Sequence, residues 1–162
     1  MFPEPVINFA KALLDEARAA AMHIATAESC TGGLIAAALT EIAGSSDVVE
    51  RGFVVYTNRA KTEVLGVDSA LIERYGAVSE EVARAMAEGA LKHSAAQLAV
   101  SCTGIAGPGG ATPGKPIGLV HLAAARQGRT TLHAECRFGD IGRANVRMRS
   151  VEEALKLLLQ IV

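Results

Sequence analysis

Three stretches of the chain carry residue types that do chemistry when they meet: Glu28-Ser29-Cys30-Thr31-Gly32-Gly33, the pair Tyr56 and Lys61, and the loop SCTGIAGPGG at 101–110. A serine hydroxyl is a poor nucleophile until a base takes its proton, and a lysine does this when burial or positive neighbours lower its pKa. Ser29, Lys61 and Tyr56 are sufficient in type for attack on an amide and for proton delivery to leaving ammonia. Taken singly they have plainer uses, since Ser29 or Thr31 caps a following helix and Lys61 is an ordinary solvated lysine near a helix start. Ser46, in the AGSSD turn, is a second candidate nucleophile. It lies ten residues before Tyr56, roughly 30 Å along a straight strand, so it joins the same site only through a bend or from another subunit. Ser29 is preferred for that reason.

A glycine turn that opens a helix presents unpaired N–H groups and holds a phosphate or an oxyanion without a charged side chain. The loop beginning at Thr103 and Gly104 is too rich in glycine and proline for a helix or central strand; it makes a surface turn or closes over a ligand. Arg143 and Arg147 stand one helical turn apart, which gives either a phosphate clamp or a solvated basic face. The three cysteines, Cys30, Cys102 and Cys136, lack CxxC spacing, so neither a disulfide framework nor a zinc site is indicated. Cys30 and Cys102 border apolar strands and read as small buried residues. His23, His93, His121 and His133 show no ligand spacing, so no metal is expected.

The elements that must position these residues follow from periodicity. Val6, Phe9, Ala10, Leu13, Leu14 and Ala17 recur at helical spacing. A short apolar strand at 23–27 runs through the glycine turn into a helix ending near 43. A strand at 48–57 precedes a helix that Gly66 stops, Ser79 caps a helix over 79–94, and a strand at 96–102 leads into the glycine loop. Strands at 117–125 and 130–138 form a hairpin through RQGR, and a helix from about 141 closes the chain. This order predicts one domain of α/β type, a three-layer sandwich with a mixed, largely parallel sheet. If strands 23–27, 48–57 and 96–102 run parallel, the segments after them gather at one sheet edge, where open α/β sheets place ligands. Ser29, Tyr56, Lys61 and Thr103 all fall there.

Composition narrows the function. With 162 residues, half of them apolar, the chain is long enough to bury a core without a staple. Its 16 Lys+Arg against 17 Asp+Glu, and only 4% aromatic residues, give neither the basic surface nor the stacking platforms that nucleic acid requires. No stretch approaches the ~18 apolar residues of a membrane span, and the first residues lack a basic leader. A cytoplasmic protein that binds neither membrane nor nucleic acid is expected.

Taken together, TAESCTGG at 26–33, IAGSS with ERGFVVYTN and Lys61, GAVSEEVA at 76–83, TGIAGPGG and the later FGD…R…VR pattern resemble the CinA C-terminal domain family, in matching order and over nearly the whole chain. The resemblance implies an α/β/α sandwich that hydrolyses the carboxamide of nicotinamide mononucleotide to nicotinate mononucleotide and ammonia, with no metal or organic cofactor. It implies Ser29 as nucleophile, Lys61 as base, Tyr56 in the proton network and the amides of residues 30–33 as oxyanion donors. The candidate substrate-binding set is Glu28, Cys30, Thr31, Gly32, Gly33, Ser46, Thr103, Gly104 and Arg143. One departure is visible, the family's GDR reading here Gly139-Asp140-Ile141-Gly142-Arg143, and a stand-alone form without the nucleotide-pyrophosphatase domain often fused upstream is expected. A small nucleotide substrate and a homo-oligomer are the expected partners. The alternatives are a non-catalytic nucleotide-binding module linked to competence or DNA damage, and a protein that uses its alanine-rich helices for assembly.

Overall fold

In a computed structural model covering residues 1–162, the periodicities become helices α1 (Glu4–Ala19), α2 (Leu34–Thr40), α3 (Asn58–Leu65), α4 (Ser69–Tyr75), α5 (Glu80–Lys92) and α6 (Arg143–Leu159). Strands β1 (Ile24–Glu28), β2 (Val49–Val54), β3 (Leu98–Gly104), β4 (Leu119–Arg126) and β5 (Leu132–Arg137) form one sheet in the order β2-β1-β3-β4-β5. The pairs β1·β2 and β1·β3 are parallel, and β3·β4 and β4·β5 are antiparallel. The three expected parallel strands therefore sit side by side, and their carboxyl ends share one edge.

Alternation along the strands sorts the layers. Leu98, Val100 and Cys102 of β3 bury against α1, α2 and α6, together with Leu13, Leu39, Val151 and Leu155. The intervening Ala99 meets α5 on the opposite face, where Met86 and Ala90 join Leu65 and Ile72 of α3 and α4. Small residues dominate this second face: Ala83 and Ala87 lie on Ala123 and Ala125, and the Ser101 hydroxyl donates to the Ala83 carbonyl at 2.6 Å. The result is the three-layer sandwich expected from the element order.

Local signals act largely as read. Ser79 accepts from the Val82 N–H at the start of α5 and Gly66 ends α3 in the left-handed region; Thr57, read as the end of a strand, instead caps α3 by accepting from the Ala60 N–H. Helix α4 is not anticipated in the sequence; Asp68 caps it through the Ala70 N–H. Strand β2 stops at Val54 rather than 57, and α6 starts at Arg143 rather than 141. No helix is long and apolar enough to cross a membrane.

Gly89 lies inside α5, where glycine is ordinarily unfavourable. A Cβ at this position would collide with the Leu65 carbonyl oxygen at the end of α3, so contact between the two helices requires a residue without one. Gly89→Ala, favourable on helix propensity alone, is expected to lower unfolding free energy by about 2 kcal/mol through overpacking, a change that urea denaturation followed by circular dichroism will measure.

Candidate functional site

The turn after β1 is built around a buried carboxylate. Glu28 is fully buried, and its oxygens accept from the N–H groups of Gly33, Ile35 and Ala36 at 2.9–3.0 Å and from the Thr26 hydroxyl at 3.1 Å. This corrects two expectations. Neither Ser29 nor Thr31 caps α2, which begins at Leu34 without a cap from the preceding Gly33 side. The group held by the helix start is the chain's own Glu28 carboxyl, which lies outside the cleft lining and pins the turn.

The turn amides divide accordingly. Gly32 N–H donates to the Ser29 carbonyl and Gly33 N–H to Glu28, so both are withdrawn from the expected oxyanion set. The N–H groups of Cys30 and Thr31 donate to no other residue, and Cys30 lines the cleft. The Thr31 side chain is buried, with its hydroxyl unpaired and away from the cleft lining. On the outer side, Arg147 donates to the carbonyls of Cys30 and Thr31 at 3.1 and 3.0 Å. A guanidinium engaged in this way is not the second arm of a phosphate clamp, and that expectation narrows to Arg143 alone.

Lys61 is 1% exposed, and its Nζ stands 3.1 Å from Ser29 Oγ, 3.1 Å from the Val55 carbonyl and 3.4 Å from the Tyr56 carbonyl. Desolvation is the main influence on it and holds its pKa below that of an ordinary lysine. A neutral amine has two N–H groups and one lone pair. With two carbonyls to receive the N–H groups, the lone pair faces the serine hydroxyl. Helix α3 delivers the lysine because its cap at Thr57 sets the first turn directly after β2, leaving Lys61 on the inward face with Leu65.

A cleft of about 210 Å³ opens over this pair, lined by Ser29, Cys30, Tyr56, Lys61, Thr103, Gly104 and Arg143 together with Asn58, Ala77, Val78 and Ala106. The Tyr56 side chain is at the rim: the residue is 59% exposed, and its hydroxyl accepts from Arg143 at 3.1 Å while its backbone carbonyl touches Lys61. Tyr56 thus meets Lys61 through its main chain and the cleft mouth through its phenol. Arg143 also donates to the Gly107 carbonyl at 3.0 Å, tying the glycine loop to α6. Thr103 donates to the Ala77 carbonyl at 2.8 Å, and Gly104 lies where a Cβ would stand 2.7 Å from Val120. Ser46 is exposed in the 3-10 turn before β2, at the opposite end of the sheet from Ser29. One strand length, on the order of 17 Å, separates them, so Ser46 takes no part in this cleft within one chain.

The four further lining residues were missed as site residues, although Asn58 and Ala77-Val78 fall inside the YTN and GAVSEEVA stretches. Their side chains offer no nucleophile or charge, so only position marks them. Elsewhere no cluster of three or more His, Cys, Asp or Glu side chains has metal-binding geometry. His121 and His133 hydrogen-bond to each other at 2.9 Å on the β4–β5 surface.

The CinA C-terminal domain family matches residues 7–162. The chain belongs to that family. A CinA-like protein from Mycolicibacterium vanbaalenii is 55% identical over 139 residues, 86% of this chain and 33% of that protein. Another from Akkermansia muciniphila is 52% identical over 138 residues, 85% of this chain and 33% of its length. The chain thus spans about a third of the curated relatives it matches. Among solved structures, a competence/damage-inducible protein from Agrobacterium tumefaciens superposes with a TM-score of 0.97 at 51% identity, covering 99% of this chain and 97% of that one. A CinA superfamily protein from Escherichia coli gives 0.92 at 36% identity, covering 97% and 90%.

Because Glu28 holds three backbone donors, Glu28→Gln sets an amide NH2 against N–H groups and leaves buried donors unpaired. A loss of about 3 kcal/mol is expected, read as a lower midpoint in urea; a midpoint equal to that of the parent would remove Glu28 from its place as the turn's anchor.

Proposed function

We propose that this domain hydrolyses the carboxamide of nicotinamide mononucleotide to nicotinate mononucleotide and ammonia, with Ser29 as nucleophile and Lys61 as general base. The observation that carries the reading is the 3.1 Å contact between a buried lysine amine and a serine hydroxyl at the floor of the cleft. The substrate comes from the family likeness. Arg143 supports it at the rim, since its contacts to Gly107 and Tyr56 leave further guanidinium donors for a phosphate.

Neutral Lys61 takes the Ser29 proton as Oγ attacks the carboxamide carbon, and the oxyanion is received by the free N–H of Cys30, beside that of Thr31. Collapse expels the amine with the proton that Lys61 returns, giving ammonia and an acyl-serine. Water, deprotonated by the same lysine, then releases the carboxylate. No metal or organic cofactor enters the scheme. Tyr56 acts at the mouth by holding Arg143, and a homo-oligomer in which Ser46 comes from a second copy is the arrangement that would return that serine to the site.

Ammonia release from nicotinamide mononucleotide, measured on purified protein, is the direct test. Ser29→Ala and Lys61→Arg are each expected to lower the rate by at least about 1000-fold, with Ser46→Ala close to the parent. Loss confined to Ser46→Ala would move the nucleophile to a subunit interface. Nucleotide binding without any ammonia from the parent protein would favour the non-catalytic module, in keeping with the competence/damage-inducible names of the relatives.

The pH profile carries its own sign. Protonation removes the lone pair, so the rate should fall on the acid side of an apparent pKa that lies below the ordinary lysine value of about 10.4. Residual activity in Lys61→Arg that keeps the same acid limb would exclude Lys61 as the titrating base.

A further inference from the structure

The floor of the cleft holds a second reactive pair that the scheme above leaves idle. Cys30, directly after the nucleophile, places its Sγ 3.5 Å from Sγ of Cys102 on β3. Cys30 is 6% exposed and lines the cleft, whereas Cys102 is fully buried behind it. The two thiols are 72 residues apart in sequence and meet because β1 and β3 pair in parallel with Glu28 opposite Cys102. The third thiol, Cys136, is on β5 and outside the cleft.

We propose that Cys30 and Cys102 are a redox-sensitive pair that closes to a disulfide when a hydroperoxide enters the cleft, and that this bond switches off the Ser29 site. The regulatory half rests on the hydrolase reading above; the modification site does not. Cys30 is the entry point, because it is the one of the two that faces the cleft. Its thiolate is favoured by the hydrogen bond from Cys102, whereas burial pushes Cys136 up to about 11, and the thiolate is the reactive form.

The steps balance. Cys30 sulfur attacks one peroxide oxygen, the O–O bond breaks, and an alcohol or water leaves, with Cys30 now a sulfenic acid. Cys102 sulfur then attacks the Cys30 sulfur, forming S–S and breaking S–O, and hydroxide departs with the Cys102 proton as water. Two thiols are oxidised and one hydroperoxide is reduced.

Ser29 is tied to both partners. It precedes Cys30 in the chain, and its N–H donates to the Cys102 carbonyl at 2.9 Å. Bond formation shortens the sulfur separation from 3.5 Å to about 2.05 Å, and the turn must follow. The Ser29 Oγ to Lys61 contact, already at 3.1 Å, is then misaligned, and displacement by about 1 Å costs on the order of 100-fold in rate.

The experiment treats the reduced full chain with hydrogen peroxide, maps thiols by intact mass and peptide analysis, and follows ammonia release in the same samples. The expected result is loss of two hydrogens, a single 30–102 linkage, a rate on the order of 100-fold lower, and recovery with dithiothreitol. Cys136→Ser should respond like the parent, and Cys102→Ala should lose no pair of hydrogens. Three thiols that stay free, a linkage that uses Cys136, or a 30–102 disulfide with undiminished hydrolysis would each overturn the proposal. The map needs no substrate, so a reduced protein that releases no ammonia counts against the hydrolase reading alone. Binding of nicotinamide mononucleotide by calorimetry then reports the effect of the disulfide on the site.

Discussion

A carboxylate buried without an adjacent cation organises this domain. Glu28 places its carboxyl group at the carboxyl end of a central strand, where an unpaired polar group is costly to bury, and N–H groups at the start of α2 pair with it. This one arrangement explains why the turn is short, why α2 begins at Leu34, and why the Ser29 turn sits at a fixed distance from the sheet. It also uses up the helix start as an anion site, leaving the free N–H groups earlier in the turn, at Cys30 and Thr31. Arg147 completes the frame from α6 by taking the two carbonyls that point outward.

Against that frame stands the buried amine of Lys61. A protonated lysine at this depth is disfavoured, and three oxygen neighbours keep it in place. The local cost of burial is what fits it to the base role proposed above, because a solvated amine would hold its proton at neutral pH. Glycine and alanine are the other side of the same design. Ala83, Ala87, Ala123 and Ala125 let α5 approach the sheet closely, and α5 in turn supports α3, which carries the lysine.

Much of the fold was legible because its signals are local. The apolar stripe of α1, the cap at Ser79, the stop at Gly66 and the 126–129 hairpin each depend on a few neighbouring residues. Helix α4 escaped because its one strong signal, the Asp68 cap, precedes a stretch of only seven residues with little apolar periodicity. The extended reading of β2 to residue 57 failed for a related reason: Val55 and Tyr56 are apolar enough for a strand but belong to the bend that carries the chain toward α3.

For the site, the amino-acid sequence by itself determined the chemical inventory: a serine in a glycine turn, a lysine after a strand, and an arginine at the start of the last helix. It also placed them in segments that follow strands, which gather at one sheet edge once those strands run parallel; the strand order β2-β1-β3 and the parallel pairing that make this so are tertiary. Only the tertiary structure decided which of them touch. It turned Glu28 inward, gave Arg147 to the turn carbonyls, set Tyr56 at the rim and Ser46 at the far end of the sheet, and brought Cys30 against Cys102. Such pairings depend on side-chain direction and burial across separate elements, and a few ångströms there change a ligand into a scaffold, whereas sequence spacing fixes position only along one helix or one strand.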